Sequence, residues 1–327
     1  MSCLLLLGAG FSRNWGGWLA AEAFEYLLGC PEIVANPALT ELLWKNQPTG
    51  GFENALDELQ VSVRFEPERA PELQLLDGAV RSMFNDMNAK FLRYINFDVQ
   101  NRVRTMLTGF EAIFTLNQDL LLEYQYFTAS PELLGQRRFH GISIPGMRPV
   151  PQAAQPMPDR RWAVPYMPDE NQLQVAAGTQ PYFKLHGSSN WQHDQQGGPM
   201  LIMGGNKVNA IDRVPVLAWY QQEFRAYLCR GDSRLMVIGY GFRDDHINAV
   251  IIDAVTNHNL KLFIVSPDGA EHAKKIAPPV SPANAGPTPL EDAFKLGVIG
   301  ASRRNLLETF GQFETIEQAK FERFFRA

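Results

Sequence analysis

The sequence predicts a doubly wound α/β fold with a parallel sheet, a small helical insertion and a C-terminal helical segment. Three observations predict it: an all-apolar run, Leu4 to Leu7, that ends in Gly8-Ala9-Gly10; a helical pattern directly after it; and later apolar runs that each end in polar or glycine residues. A strand covered on both faces reads as a continuous apolar run, so Leu4 to Leu7 suits a buried parallel strand. Trp18 to Leu28 places Leu19, Ala23, Tyr26 and Leu27 near helical spacing. From about Asn36 to Leu107, apolar residues are spaced among charges without strand-like alternation, which reads as three or four helices. They form either an insertion or a cover on one sheet face.

Glu111 to Leu116 is the second strand, followed by Asn117-Gln118-Asp119 and a helix from Leu120 to about Phe127. Gly141 to Asp169 carries prolines at 145, 149, 151, 156, 158, 165 and 168 and has little periodicity, so it reads as a long surface loop. Tyr182 to Leu185, Leu235 to Ile238 and Leu260 to Val265 are the remaining strands, with a helix from His246 to about Asn257 between the last two. Pro278 to Pro289 reads as a linker, and Glu291 to Phe325 as closing helices. The expected organisation is one α/β domain over 1–35 and 108–275, an insertion over 36–107, and a linker with terminal helices over 276–327.

Composition narrows the class. The chain has 327 residues, 45% hydrophobic and 20% charged, an ordinary globular balance with room for a large core. A formal net charge of -5 gives no bulk support for nucleic-acid binding. Cys3, Cys30 and Cys229 are scattered, with no C-x-x-C pair, so neither a disulfide framework nor a cysteine-based zinc site is indicated. The first apolar run is too short for a signal peptide, and no stretch approaches the roughly 18 apolar residues that span a bilayer. A cytoplasmic protein is expected.

The chemistry-bearing residues cluster at the strand ends, where an open parallel sheet binds ligands. Gly8-Ala9-Gly10-Phe11-Ser12 joins a strand to a helix, the arrangement that lets backbone N–H groups approach a pyrophosphate. Arg13 stands where a G-x-G-x-x-G fingerprint has its third glycine, and a purely structural turn is the alternative reading. In Thr115-Leu116-Asn117-Gln118-Asp119, the amide can hold a carboxamide or a water molecule and Asp119 can cap the next helix; both merely capping the turn is the alternative. Lys184-Leu185-His186-Gly187-Ser188 presents an imidazole at the rim, able to exchange a proton with a sugar hydroxyl, or else a satisfied core histidine. The other histidines lack this placement and any metal-ligand spacing, so no metal is expected. No G-x-S-x-G elbow and no H-E-x-x-H are present, against serine and zinc hydrolases.

Taken together and in order, these motifs resemble the sirtuin-like (SIR2-like) superfamily, in its bacterial NAD-consuming branch. Gly8-Ala9-Gly10-Phe11-Ser12 is similar to the family's glycine opening, Thr115 to Asp119 to its Thr-x-Asn-x-Asp element, and Lys184 to Ser188 to its His-Gly element. Ile238-Gly239-Tyr240-Gly241-Phe242, with Asp244-Asp245-His246-Ile247-Asn248, resembles the branch's Gly-Tyr block. The resemblance runs from Met1 to about Asp268. It implies a Rossmann-like domain that cleaves the bond between nicotinamide and ribose through an oxocarbenium-like transition state.

In that reading Asn117 and His186 are the catalytic pair. Asn117 orients the nicotinamide end or the attacking water, and His186 contacts the ribose hydroxyls and acts as a base. Gly8, Ala9, Gly10 and Ser12 lie at the pyrophosphate, Asp119 at the nicotinamide pocket, and Gly239 and Ser266 at the adenosine half, with Phe11 and Tyr240 as further NAD-binding positions. The chain cannot build the four-cysteine zinc module of protein-deacylating sirtuins, and Arg13-Asn14-Trp15-Gly16-Gly17 replaces their Pro-Asp-Phe-Arg-like segment. Water is therefore the expected acceptor, in an NAD glycohydrolase that serves bacterial antiphage defence by depleting NAD. A zinc-independent deacylase or ADP-ribosyltransferase, and a non-catalytic NAD-binding sensor, are the alternatives. The resemblance also implies control by homo-oligomerisation or by a partner, either a HerA-type DNA-translocase ATPase, which is preferred, or a short Argonaute.

Overall fold

The computed structural model describes residues 2–48, 51–91, 97–127, 139–151, 164–193, 199–204, 206–271, 288–311 and 313–326. Strand β1 (Ser2–Leu7) buries its four leucines completely, as expected of a central strand. Two helices follow where one was expected: a single turn and a half, α1 (Ala9–Arg13), directly after Gly8, and then α2 (Ala20–Leu28).

Helices α3 (Pro31–Val34), α4 (Pro37–Asn46), α5 (Phe52–Ser62), α6 (Ala70–Phe91) and α7 (Phe97–Leu107) fill the stretch read as helical. Their starts are written locally. Asn36 caps α4 by accepting from the amides of Ala38 and Leu39 at 3.1 and 3.2 Å, and Pro37 occupies the first turn, where no N–H is needed. The long helix α6 buries Leu76, Ala79, Val80, Met83, Phe84 and Met87, a stripe at three- and four-residue spacing.

The rest of the chain forms β2 (Ala112–Thr115), α8 (Leu121–Gln125), β3 (Gly141–Ser143), β4 (Met147–Pro149), β5 (Tyr166–Pro168) and β6 (Thr179–Lys184). Then come β7 (Gly187–Gln192), β8 (Pro199–Leu201), α9 (Lys207–Asp212), α10 (Pro215–Leu228), β9 (Ser233–Ile238), α11 (Asp245–His258) and β10 (Lys261–Val265). The chain closes with α12 (Pro289–Gly297), β11 (Val298–Ser302), α13 (Leu306–Thr309) and α14 (Thr315–Arg326).

Among the described residues the main sheet has seven strands in the order β11-β10-β9-β1-β2-β6-β3. Every pairing in it is parallel, with helices flanking it, so the fold is the doubly wound, Rossmann-like α/β type that the strand-turn-helix opening predicts. The five expected strands form its centre, and their C-terminal ends share one edge.

Three differences from the sequence reading have physical causes. The stretch Gly141 to Asp169 is not all loop: β3 joins the edge of the main sheet, while β4 and β5 belong to a second sheet, β4-β5-β7-β8. Residues 152–163, with two of its prolines, lie outside the described residues. Strand β7 reads Gly-Ser-Ser-Asn-Trp-Gln, which has neither apolar alternation nor branched residues to announce a strand, and it is held instead by its neighbours. The C-terminal region holds helices as expected, and also β11, whose Val-Ile-Gly-Ala-Ser is a short, half-buried edge strand beside β10. Most of the linker expected at Pro278 to Pro289 falls outside the described residues.

Candidate active site

Three loops at the shared edge carry the chemistry, and each is fixed by main-chain contacts. The Gly8 amide donates to the Ile238 carbonyl at 3.0 Å and the Gly10 amide to the Gly239 carbonyl at 2.9 Å, which joins the β1 and β9 turns back to back. A β-carbon on Gly8 would stand 2.6 Å from the Gly239 oxygen, so this glycine pair meets a close approach of two backbones. Ala9 is exposed at the start of α1, and Phe11 is buried against Trp15 with ring centroids 5.2 Å apart.

The first turn delivers Ser12 to the loop after β2. The Ser12 hydroxyl donates to Asp119 Oδ2 at 2.7 Å and accepts from Asn117 Nδ2 at 3.0 Å. Asp119 Oδ1 also accepts from the Leu121 amide at 3.0 Å, so the carboxylate caps α8 as well as binding Ser12. The Asn117 amide donates to Thr115 Oγ1 at 3.0 Å. Asn117 is half-buried, whereas Ser12 and Asp119 are buried.

Gln118, between them, faces the other way. Its Nε2 donates to the carbonyls of His186 and Ile202 at 3.0 and 2.7 Å, and its own carbonyl accepts from the Ser189 amide at 2.8 Å. The loop of Asn117 and the segment of His186 are thereby fastened together, although 69 residues separate the motifs' central members in the chain. Helix α6 adds a second clasp: Asn88 Nδ2 donates to Ser189 Oγ at 3.0 Å, and Asn88 Oδ1 accepts from the Leu120 amide at 2.9 Å. Beneath both loops lies a buried ion pair, Lys184 Nζ to Glu123 Oε1 at 2.8 Å, with the ammonium also donating to the Asp119 carbonyl. Burial pushes the Glu123 carboxyl up, against the Lys184 charge that pulls it down.

His186 is 3% exposed, and its Nε2 lies 3.1 Å from Nε2 of His246. His246 comes from the first turn of α11, in the Asp-Asp-His-Ile-Asn run whose histidine carried no role in the sequence reading. Asp244, the N-cap of α11, completes the group, and Lys207 Nζ bridges Asp244 Oδ1 and Glu53 Oε2, both at 2.8 Å. Burial lowers His186 to about 3, partly opposed by the Asp244 carboxylate and reinforced by Lys207 and His246. Burial lowers His246 too. Both imidazoles are therefore neutral near pH 7. Burial lowers Lys207, but the Glu53 and Asp244 carboxylates outweigh it and leave the ammonium raised. Burial raises Asp244, but the neighbouring His186 and Lys207 outweigh it and hold the carboxyl low.

The donor atoms of His186, Asp244 and His246 lie within 4.8 Å of one another, close enough for one ion, but the ammonium of Lys207 already neutralises the carboxylate. Sequence spacing gave no sign of this cluster, since Glu53, Lys207 and His246 come from three distant segments. A partly open pocket beside Phe11 and Trp15, also lined by Arg104, Leu121 and Tyr126, includes none of Asn117, Asp119 or His186.

The remaining expected positions sit on the β9 and β10 ends. Gly239 has φ +66°, and its amide donates to the Val265 carbonyl at 2.9 Å. Tyr240 is buried, and its hydroxyl is used within its own loop: it donates to Asn248 Oδ1 at 3.1 Å and accepts from the Asp244 amide at 3.1 Å. Ser266 Oγ is buried and has no hydrogen-bond partner among the described residues.

Residues 111–278 match the family model of the SIR2-like domain, just over half of the chain. The chain belongs to the SIR2-like family. That span contains Asn117, Asp119, His186, Gly239, Tyr240 and Ser266, while the Gly8 to Ser12 turn precedes it. No curated protein matches the sequence. A solved structure described as the crystal structure of a Sir2 homolog–NAD complex is similar, at 13% identity and a TM-score of 0.41, over 99% of this chain and 90% of that one. Among the described residues of this SIR2-like chain, no helix is long and apolar enough to cross a membrane.

Proposed function

We propose that this SIR2-like chain is an NAD glycohydrolase, cleaving the bond between nicotinamide and ribose. The observation that carries the reading is the joining of two polar sets by Gln118: Asn117, Ser12 and Asp119 in one, the buried neutral His186 in the other. Cleavage needs little nucleophile strength, because the transition state resembles an oxocarbenium ion; it needs position and a proton acceptor.

In the reaction, the C–N bond breaks with its electron pair going to the nicotinamide ring nitrogen. Water forms the new C–O bond and loses a proton. A half-buried amide fixed through Ser12 is suited to orient the nicotinamide end or the water. A neutral imidazole has a lone pair for the proton, and the Asp244 carboxylate favours its charged form against the burial that opposes it. Asp119, held by Ser12 and by the α8 amide, borders the nicotinamide end. The orphaned Ser266 hydroxyl at the end of β10 fits a hydroxyl-bearing ligand there, such as the adenosine half, because an unpartnered buried polar atom is costly.

Depletion of NAD in bacterial antiphage defence, under control of an oligomer or of a partner such as a HerA-type ATPase or a short Argonaute, is the biological setting that the motif resemblance supports. The deciding experiment is nicotinamide release from NAD by the purified chain, alone and with candidate partners, beside Asn117→Ala and His186→Ala. Release by the wild type alone is expected. Equal release by the folded variants would remove these two residues from the mechanism.

A further inference from the structure

We infer that His246 is a positioning residue for His186, accepting a hydrogen bond from its Nε2–H and so leaving Nδ1 of His186 as the free proton acceptor. The two Nε2 atoms face each other at 3.1 Å, and a hydrogen bond between neutral rings needs the hydrogen on one of them only. The surroundings select which one. Among the described residues, the side-chain hydrogen bond of His186 is the one to His246, so its Nδ1 has no partner. His186 is 3% exposed, whereas His246 is half-buried beside a second carboxylate, Asp245, which makes His246 the more basic ring and the better acceptor. The hydrogen of His186 therefore belongs on Nε2, where it has an acceptor. His246 is half-buried, so its own Nδ1–H can reach water.

Burial keeps both rings neutral, helped by Lys207 and opposed by the carboxylates. Lys207 opposes a positive charge on either ring, while Asp244 favours it. Asp245, on the same turn as His246, adds a second carboxylate, and Glu53 on α5 holds Lys207 in place. The position of His186 is fixed from behind. Its carbonyl accepts from Gln118 Nε2 and from the Ile202 amide, both at 3.0 Å, and Gly187 follows at φ +76°. A β-carbon at residue 187 would stand 2.1 Å from the Met200 carbonyl oxygen, so the turn admits no other residue without a shift. With the main chain set, the ring has one partner left to choose its tautomer, and that partner is His246. A base with the wrong nitrogen protonated cannot accept the substrate's proton, whatever its pKa.

The consequence for turnover rests on the NAD-hydrolysis reading, whereas the tautomer does not. The test is performed on the full chain with ¹⁵N-labelled imidazoles, using His186→Asn to assign the His186 signals. In the wild type at pH 7, His186 is expected to show a protonated Nε2 and an unprotonated Nδ1. His246→Ala should convert it to a mixture. His246→Gln, whose carbonyl oxygen can accept the same bond, should restore it. Nicotinamide release then follows the tautomer: kcat falls on the order of 100-fold in His246→Ala with KM changed little, and His246→Gln recovers most of the loss.

A wild-type His186 protonated on Nδ1 would overturn the inference, as would a tautomer unchanged by His246→Ala. So would a His246→Gln protein that regains the tautomer and stays as slow as His246→Ala. Uptake of one zinc ion per chain by EDTA-treated protein, lost in His246→Ala, would also overturn it by making the pair metal ligands. If the wild type releases no nicotinamide, alone or with candidate partners, the NAD reading fails and the resonance data still decide the role of His246.

Discussion

Gly10 and Gly239 touch through their backbones: the Gly10 amide donates to the Gly239 carbonyl at 2.9 Å, and a β-carbon on Gly10 would lie 2.7 Å from the Gly239 α-carbon. The glycine turn after β1 thus has a packing role that is complete before any ligand arrives. It sets the distance between the β1 and β9 ends, and with it the place of Ser12 relative to the cluster after β9.

Gly239→Ala is expected to be strongly destabilising. The residue has φ +66°, and a β-carbon there would stand 2.3 Å from the Phe11 amide nitrogen. The left-handed backbone costs about 1–2 kcal/mol for a residue with a side chain, and the overpacking about 1–3 kcal/mol more. Urea denaturation checks this. A loss under about 1 kcal/mol would mean that the two turns separate easily and are not held by this contact.

The fold was largely legible because its centre obeys one rule: buried parallel strands are short apolar runs. β1, β2, β9 and β10 do so over most of their length and β6 only through Tyr182 and Phe183, and all five appear where the runs are, with β6 starting earlier, at Thr179. What escaped notice did not obey it. Strand β7 is polar, and β11 contains Gly300 and lies at an edge, so both owe their form to neighbouring strands rather than to their own pattern. The site divides in the same way. Asn117, Asp119 and His186 stand next to strand ends and could be read from position. His246 lies eight residues past the end of β9, on α11, and Lys207 opens α9 six residues past β8, so only folding brings them to His186 and Asp244.

Ser12→Ala tests whether the Asn117–Ser12–Asp119 set acts as a unit. The hydroxyl both donates and accepts, so its removal frees the Asn117 amide and one carboxylate oxygen together. Stability should fall by about 1–3 kcal/mol, the range for leaving buried polar groups unsatisfied. If the glycohydrolase reading holds, nicotinamide release should fall on the order of 10- to 100-fold, through kcat more than KM, because a side chain is misaligned rather than lost. Unchanged kinetics in a folded Ser12→Ala protein would separate Ser12 from the reaction.

The Lys184–Glu123 pair is expected to behave as a buried ion pair, with side chains 0% and 1% exposed. Lys184→Met strands the carboxyl and should lower stability by about 3–5 kcal/mol. Lys184→Met with Glu123→Leu should recover much of that, since the cost comes from the unpaired group. The comparison is a double-mutant cycle by denaturant midpoint. Additive effects of the two substitutions would show that the groups do not depend on each other.

His186 gives the stability of the fold a pH dependence of known sign. Its folded-state value of about 3 is below the ordinary 6.5, so the unfolded chain binds a proton that the folded chain refuses. The contribution is therefore fully present above pH 6.5 and is lost as pH falls through that window toward about 3. Its slope approaches about 1.4 kcal/mol per pH unit for one proton, and His246, lowered by burial as well, acts in the same direction. Denaturation of the wild type and of His186→Asn between about pH 8 and pH 4 isolates the term, because asparagine does not titrate. The wild type should lose stability more steeply toward low pH, and the two curves should run parallel above pH 7. Parallel curves throughout would mean that His186 takes up its proton in the folded protein, with solvent reaching the ring.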